Sequence, residues 1–518
     1  MTTIDYIVIA LYMLLSVFLG CRLGKKQVST EQYFLSGRNM KWLPVAIALF
    51  AALFSSISYI AMPGEGYNFG LSMLVCGLTG IVALPVMLFV FMKFFYNMKL
   101  WTINEYLENR FSVSVRILCG GIFLFARCLY IGVVLYATAM LLARSFGVSP
   151  MLAIIAVGVV STIYTYFGGM DAVIWTDVMQ FIVLLGGILL IIGVVAWQLD
   201  GGIAGIWDVA VANGKTFNLG IDSGFWDFSM KHRLTIWPLL IGLPFALFMP
   251  ATDQINLQRC MTCKSFGEVA RAVSVSTISN PFVCFIFYFA GLAVFAYYKV
   301  VHADKLPTDM PGVKGDEIFC YFVSHELPPG CRGILIAGIL AAVMSTISAV
   351  ENSLATVWVK DVYQRILRPG LEDGKYVQAA KITTLIIGTI TCLFGVAVLI
   401  IFRGRNIPLL EVSNTVLGML SNFTCTIFLL GLLTRRANAR GIIAGVIAGI
   451  PVTFYTYVFC YLLKEGDERM SFMVINWYPM ATILIVGYLV SIFTGSAKAG
   501  AEKYVIWSRW SKKKSGEK

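Results

Sequence analysis

The sequence predicts an all-α protein that crosses a lipid bilayer about thirteen times. Three observations predict it. Of 518 residues, 58% are hydrophobic and only 13% are charged, about half the charge of an ordinary soluble domain, at roughly 25%. The apolar residues gather into runs of spanning length, and runs of about twenty are helical, whereas barrel strands alternate. The basic residues between the runs favour one side.

The runs fall at 4–24, 42–70, 71–97, 113–145, 150–168, 172–198, 234–258, 274–298, 331–360, 380–402, 408–433, 440–463 and 472–495. The first is full length, has no basic stretch before it and no small-residue cleavage site after it, so a span and not a signal peptide is expected. The second contains Pro63-Gly64-Glu65-Gly66, and a break is expected there. The second, fourth and ninth are long enough to be tilted or interrupted. The seventh carries Pro238, Pro244 and Pro250. Interrupted segments at matching places in two halves point to an inverted repeat with a site near the bilayer midplane. The loops near 199–233 and 299–330 are the longest outside, and the prolines of the second suggest an irregular cap.

The net charge of +12 belongs to topology. On this span model 27 Lys and Arg fall on one side, 12 on the other, and Arg127 lies within a span. The positive-inside rule places the N-terminus outside and the C-terminus in the cytoplasm of a cell membrane. The basic charge then serves lipid headgroups rather than nucleic acid, and Ser511-Lys512-Lys513-Lys514 is expected to be a solvated patch. The division is a transmembrane unit over 1–497, with its repeat core near 42–433, and a basic tail over 498–518.

Hydroxyls interrupt two apolar runs, at Ser55-Ser56-Ile57-Ser58 and Ser345-Thr346-Ile347-Ser348. Hydrocarbon offers such groups no partners, so they face a bundle interior or a wet cavity. They are hard oxygen donors, suited to small hard cations. Their bland role is to hold helices together through bonds to their own carbonyls. Carboxylates at membrane depth are few: Asp177, Asp253 and Glu351. Each needs a cation, a partner or a proton; for Asp253 the near neighbour Arg259 is the expected partner. Arg127 is open to an anionic substrate, a carboxylate or an interface. Twelve cysteines are scattered and only three histidines occur, so Cys260-x-x-Cys263 is not expected to hold zinc. No nucleophile elbow, phosphate loop or paired metal histidines occur, so no catalytic residue is assigned.

These motifs resemble the sodium:solute symporters along the chain. The resemblance rests on Tyr33-Phe34-Leu35-Ser36-Gly37-Arg38, on the stretch from Ser55 to Tyr67, and on Tyr166-Phe167-Gly168-Gly169-Met170-Asp171 running to Trp175-Thr176-Asp177. It extends to Thr252-Asp253-Gln254 with Gln258-Arg259, to Ala341–Thr346 and to Lys360-Asp361-Val362-Tyr363. It implies a leucine-transporter-type core of five plus five inverted helices. It also implies sodium-coupled import of a small solute by alternating access.

By the same resemblance the main sodium site is the Ala51, Phe54 and Ala342 carbonyls with the Ser345 and Thr346 hydroxyls. A second sodium, present in some members, falls on Asp177, Ser345 and Ser348, and Ala349 stands where some members have a hydroxyl. The substrate set is Ser55, Ser58, Arg127, Tyr130, Asp253 and Gln254. Sugar carriers place a larger polar group at Ser58 and Asn at Ala246. Sialic-acid carriers place a carboxylate-binding Arg at Tyr130. The segment Leu129–Tyr136 is similar to the iodide, monocarboxylate and multivitamin carriers. A small organic anion, monocarboxylate or sugar acid, is therefore expected ahead of a sugar. A sensor or channel on this scaffold is the competing class.

Overall fold

A computed structural model of the chain describes residues 1–24, 28–216, 240, 250–301, 315–401, 409–464 and 475–506. Pro238, Pro244, Ala246 and the Ser511–Lys514 patch lie outside the described residues. In chain order the helices are α1 (Thr3–Gly24), α2 (Thr30–Leu35), α3 (Trp42–Leu53), α4 (Ser56–Phe69), α5 (Leu74–Val86) and α6 (Lys93–Asn97). Then come α7 (Asn104–Arg110), α8 (Val113–Phe146), α9 (Pro150–Gln198), α10 (Gly202–Ala212), α11 (Gln254–Met261) and α12 (Phe266–Val300). The last six are α13 (Gly315–His325), α14 (Cys331–Val357), α15 (Asp373–Ile401), α16 (Leu409–Leu433), α17 (Ala439–Tyr457) and α18 (Trp477–Phe493). Among the described residues the one β feature is an isolated bridge between Met40 and Cys263. Eight helices there are long and apolar enough to span a membrane, or nine with α3 and α4 taken as one bent span.

Local signals set the helix ends. Ser112 Oγ accepts from Val115 N–H at 3.4 Å to start α8, Ser265 Oγ accepts from Glu268 N–H at 3.3 Å to start α12, and Asn438 Oδ1 accepts from Gly441 N–H at 2.9 Å to start α17. Each satisfies a donor that the first helical turn leaves open. Pro150 opens α9, where its missing N–H costs no helical bond.

Helix α9 runs through 49 residues, about 73 Å at 1.5 Å per residue, more than twice the hydrocarbon core of roughly 30 Å. Gly169 (φ 55°, ψ −149°) divides it into arms over 150–168 and 170–198, close to the two separate spans expected there. A side chain at this position would be strained by the backbone angle, and its Cβ would lie 2.6 Å from Tyr33 O.

The second span is broken, but not where Pro63 predicts. Pro63 lies inside continuous α4. The break falls between Leu53 and Ser56, where the axis turns by 70°. Proline is tolerated within a membrane helix when neighbouring structure accommodates the freed backbone. Here α12 presses on it, and a Cβ at Gly291 would lie 1.9 Å from Pro63 O. What stops α3 instead is the extended backbone at Phe54 and Ser55, with Ser55 Oγ accepting from Ser58 N–H at 3.4 Å to cap α4.

The outer loops are partly helical. They hold the helices α10 and α13. The start of the tail is docked on the helices. Tyr106 Oη donates to Tyr504 O at 3.1 Å and Lys498 Nζ to Glu108 O at 3.0 Å, and Val505 and Ile506 are buried.

Helix α14 is the centre of the bundle. Its most apolar stretch is 94% buried, against 22% for α1. It packs on both arms of α9, on α8 and on α15. A helix buried on every side presents all its hydroxyls to other helices.

Candidate functional site

The α3–α4 break and α14 meet at the Ser345 hydroxyl. The last carbonyls of a helix have no N–H partner within it. One of these, Ala51 O, accepts from Ser345 Oγ at 3.3 Å. Ser345 Oγ also lies 3.1 Å from Ala342 O, and Thr346 Oγ1 donates to Ala342 O at 3.0 Å. Ala51, Ala342, Ser345, Thr346 and, at the break, Phe54 are all buried. Four of the five residues expected at the main sodium site are thus joined by direct contacts. Such a cluster of carbonyl and hydroxyl oxygens is the chemistry that a hard monovalent cation selects. Tyr164 Oη ties the first arm of α9 to the same turn by donating to Met344 O at 2.8 Å.

Asp177 and Ser348 do not meet. Asp177 Oδ2 accepts from Arg259 Nη2 at 2.8 Å, both side chains are fully buried, and Oδ1 has no hydrogen-bond partner among the described residues. Ser348 Oγ donates to Ser345 O at 3.2 Å, as hydroxyls in apolar helices commonly do. The expectation that Arg259 pairs with Asp253 is corrected: Arg259 sits on α11, whose side chains reach the second arm of α9.

Asp253 pairs with Arg127 instead. Its Oδ1 also caps α11, accepting from Ile255 N–H at 2.9 Å and Asn256 N–H at 3.1 Å. A buried guanidinium matched to a carboxylate is not available to an anion until the pair parts, and in this conformation Asp253 engages Arg127. The candidate substrate residues therefore form two groups. Ser55 and Ser58 lie together at the break, with Oγ atoms 3.4 Å apart. Arg127, Asp253 and Gln254 line a narrow cleft of about 20 Å³ with Phe123, Cys425 and Phe428. The Tyr130 ring stands 6.0 Å from the Arg127 guanidinium. Gln254 Oε1 accepts from Ile103 N–H at 2.8 Å, which gives it a structural bond.

One network escaped the sequence reading. Buried Asp361 accepts from Arg116 Nη2 at 2.6 Å, Thr102 Oγ1 at 2.6 Å and Asn104 Nδ2 at 2.9 Å. Arg116 also bonds Glu108 at 2.7 Å, and Arg365 bonds the same carboxylate at 2.6 Å. The motif around Lys360-Asp361 marked the place, but the partners lie more than two hundred residues away. For Glu108, burial works to raise the carboxyl's affinity for a proton, but hydrogen bonds from Arg365 and Arg116 outweigh it and hold it below the usual range.

A model of one family matches residues 33–449, most of the chain. The chain belongs to the sodium:solute symporter family. It is a sodium-coupled membrane transporter, and neither its family nor its relatives are enzymes. It is 32% identical to the sodium-dependent multivitamin transporter of Oryctolagus cuniculus over 96% of this chain and 83% of that one. It is 28% identical to the sodium/sialic acid symporter NanT of Aliivibrio fischeri, over 94% and 93%. The human sodium-coupled monocarboxylate transporter 1 is 30% identical, over 90% and 75%. A solved substrate-bound, outward-open Na⁺-coupled sialic acid symporter superposes with a TM-score of 0.83 at 25% identity, covering 96% of this chain and 99% of that one. The nucleobase-cation-symport transporter Mhp1 shares the fold alone, with a TM-score of 0.52 at 12% identity.

Proposed function

We propose that the protein imports a small organic anion with sodium by alternating access. The observation that carries this reading is the contact of Ser345 Oγ with both Ala51 O, at the α3–α4 break, and Ala342 O on α14. Sodium seated there takes the Ala51, Phe54 and Ala342 carbonyls together with the Ser345 and Thr346 oxygens, after each hydroxyl hydrogen swings away. The ion then holds the broken helix against α14. Its release to the cytoplasm frees that contact and lets the substrate follow. Each charge carried inward gains about 2.3 kcal/mol per 100 mV of membrane potential.

The anionic substrate class is supported by the relatives named for sialic acid and monocarboxylates. The substrate lies among Ser55, Ser58, Arg127, Tyr130, Asp253 and Gln254. The oriented N–H groups at the start of α4 supply partial positive charge to an anion. A second sodium belongs at Asp177, Ser345 and Ser348, where Asp177 Oδ1 is the available oxygen. The full architecture is thirteen spans in a cell membrane, with an outside N-terminus, a five-plus-five repeat core near 42–433 and a cytoplasmic tail from 498.

Uptake into proteoliposomes tests the coupling. Ser345→Ala and Thr346→Ala are expected to raise the sodium requirement steeply without loss of folded protein. Uptake that runs equally well on a pH gradient without sodium refutes the reading. Thermal-shift screening against sialic acid, monocarboxylates and hexoses tests the class, since bound ligand stabilises the folded state. Stabilisation by hexoses alone refutes the anion.

A further inference from the structure

Glu351 is a carboxylate that the transport reading leaves unused. It lies on α14, fully buried, six residues beyond Ser345. No basic side chain among the described residues pairs with it. Its Oε1 is 2.8 Å from Thr162 Oγ1, on the first arm of α9. The same Thr162 oxygen is 2.8 Å from Gly158 O. Both separations are hydrogen-bond lengths, yet a threonine hydroxyl has one hydrogen and a backbone carbonyl has none to give. If that hydrogen points to Gly158 O, the second contact must take its hydrogen from the carboxyl. If it points to Oε1, the carbonyl contact has no hydrogen. A protonated Glu351, donating to Thr162, supplies one hydrogen to each contact, whereas an ionised Glu351 leaves a single hydrogen shared between two acceptors.

The surroundings agree. Oε2 has no hydrogen-bond partner among the described residues, which suits a neutral acid far better than an anion. Helix α15 closes the site from the third side, where a Cβ at Gly388 would lie 2.2 Å from Thr162 Oγ1. The titratable groups facing Glu351 are Tyr33 from α2, Cys128 from α8, Tyr164 from α9 and Cys392 from α15. All are phenols or thiols, uncharged at neutral pH.

We propose that Glu351 is a proton-binding site in the transporter core, and that its proton competes with sodium bound near Ser345. The linkage rests on the proposed sodium site. Six helical residues are a rise of about 9 Å. Away from water, that is close enough for charges to act on each other. Sodium then favours the ionised carboxylate, and the ionised carboxylate favours sodium; the effect is necessarily mutual. Sodium binding expels the proton to solvent, leaving Glu351 as its carboxylate.

The test uses the full chain purified in detergent. Sodium affinity in the wild type is expected to fall on acidification, by up to about tenfold per pH unit, the limit for one competing proton. Calorimetry in two buffers of different ionisation heat is expected to show proton release on sodium binding. Glu351→Gln copies the neutral acid and can donate to Thr162, so it is expected to fold and to bind sodium with no pH dependence. The infrared carbonyl band of a protonated carboxyl is expected in the sodium-free wild type and absent from the variant. Sodium affinity that is flat with pH in the wild type overturns the competition, and a missing band overturns the proton itself. Loss of all sodium binding in Glu351→Gln overturns the proposal in favour of direct ligation. A wild type that shows the band but binds no sodium at any pH overturns the linkage through the sodium reading, and leaves the proton site standing. Should the variant fail to accumulate, wild-type proton release and the wild-type band decide the outcome.

Discussion

Breaking the Asp177–Arg259 pair is expected to destabilise the protein more than removing it. The two side chains are fully buried and bonded at 2.8 Å across the second arm of α9 and α11. Asp177→Asn leaves a guanidinium without its counter-charge, and Arg259→Gln leaves a carboxylate without one. Each single change is expected to cost about 3–5 kcal/mol, the usual penalty for a buried charge left alone. The double variant loses both charges and leaves a neutral amide pair. Its cost falls towards the roughly 1–3 kcal/mol of an imperfect buried hydrogen bond. The order of thermal midpoints in detergent is therefore wild type, double variant, then either single variant. Additive losses, with the double variant lowest, refute the ion-pair argument. The same variants address the second sodium. A wild-type Hill coefficient for sodium near two that falls towards one in Asp177→Asn, with stability intact, would show that the carboxylate serves an ion instead of Arg259.

Other outcomes follow from the same geometry. Gly169→Ala places a side chain where the backbone strain alone is about 1–3 kcal/mol and where Tyr33 O is 2.6 Å from the new Cβ; an unchanged thermal midpoint contradicts the assigned break in α9. Asp253→Asn keeps an acceptor for the α11 cap but releases Arg127, so anion affinity is expected to fall in Arg127→Gln and not in Asp253→Asn. Equal losses in competition binding exclude an anion role for Arg127. Glu108 is held below the usual carboxylate range by Arg365 and Arg116 despite its burial. Its contribution is therefore full above that range and is lost as pH falls through its lowered value. Denaturation followed between neutral and acid pH is expected to show a smaller acid loss in Glu108→Gln than in the wild type.

Much of the fold was legible because membrane spans announce themselves by composition. The spans at 4–24, 113–145 and 331–360 lie close to α1, α8 and α14. Hydroxyls in apolar surroundings also marked Ser345 and Thr346, since hydrocarbon gives such groups no partners. The α3–α4 break was misplaced because Pro63 is the louder local signal. The actual stop depends on Ser55 capping the next helix and on α12 bracing Pro63. Ion pairing was illegible for a different reason. Arg259 is nearer Asp253 in sequence, but the partner of Asp177 is chosen by how α11 lies on α9. Glu351 was visible as a costly residue. That it shares one hydrogen-bonding oxygen with Gly158 needed coordinates.

The enclosure of α14 carries a consequence for variation in this chain. A helix with one face in lipid accepts changes every three or four residues, on the side that touches acyl chains. Helix α14 has almost no such side, with 94% of its apolar stretch buried. A saturation scan through 335–357 is therefore expected to show intolerance without a 3.6-residue rhythm, while the same scan through α1 shows that rhythm clearly. Changes in transport preference would then have to arise in the helices around α14, leaving it as the fixed axle about which the others are free to diverge.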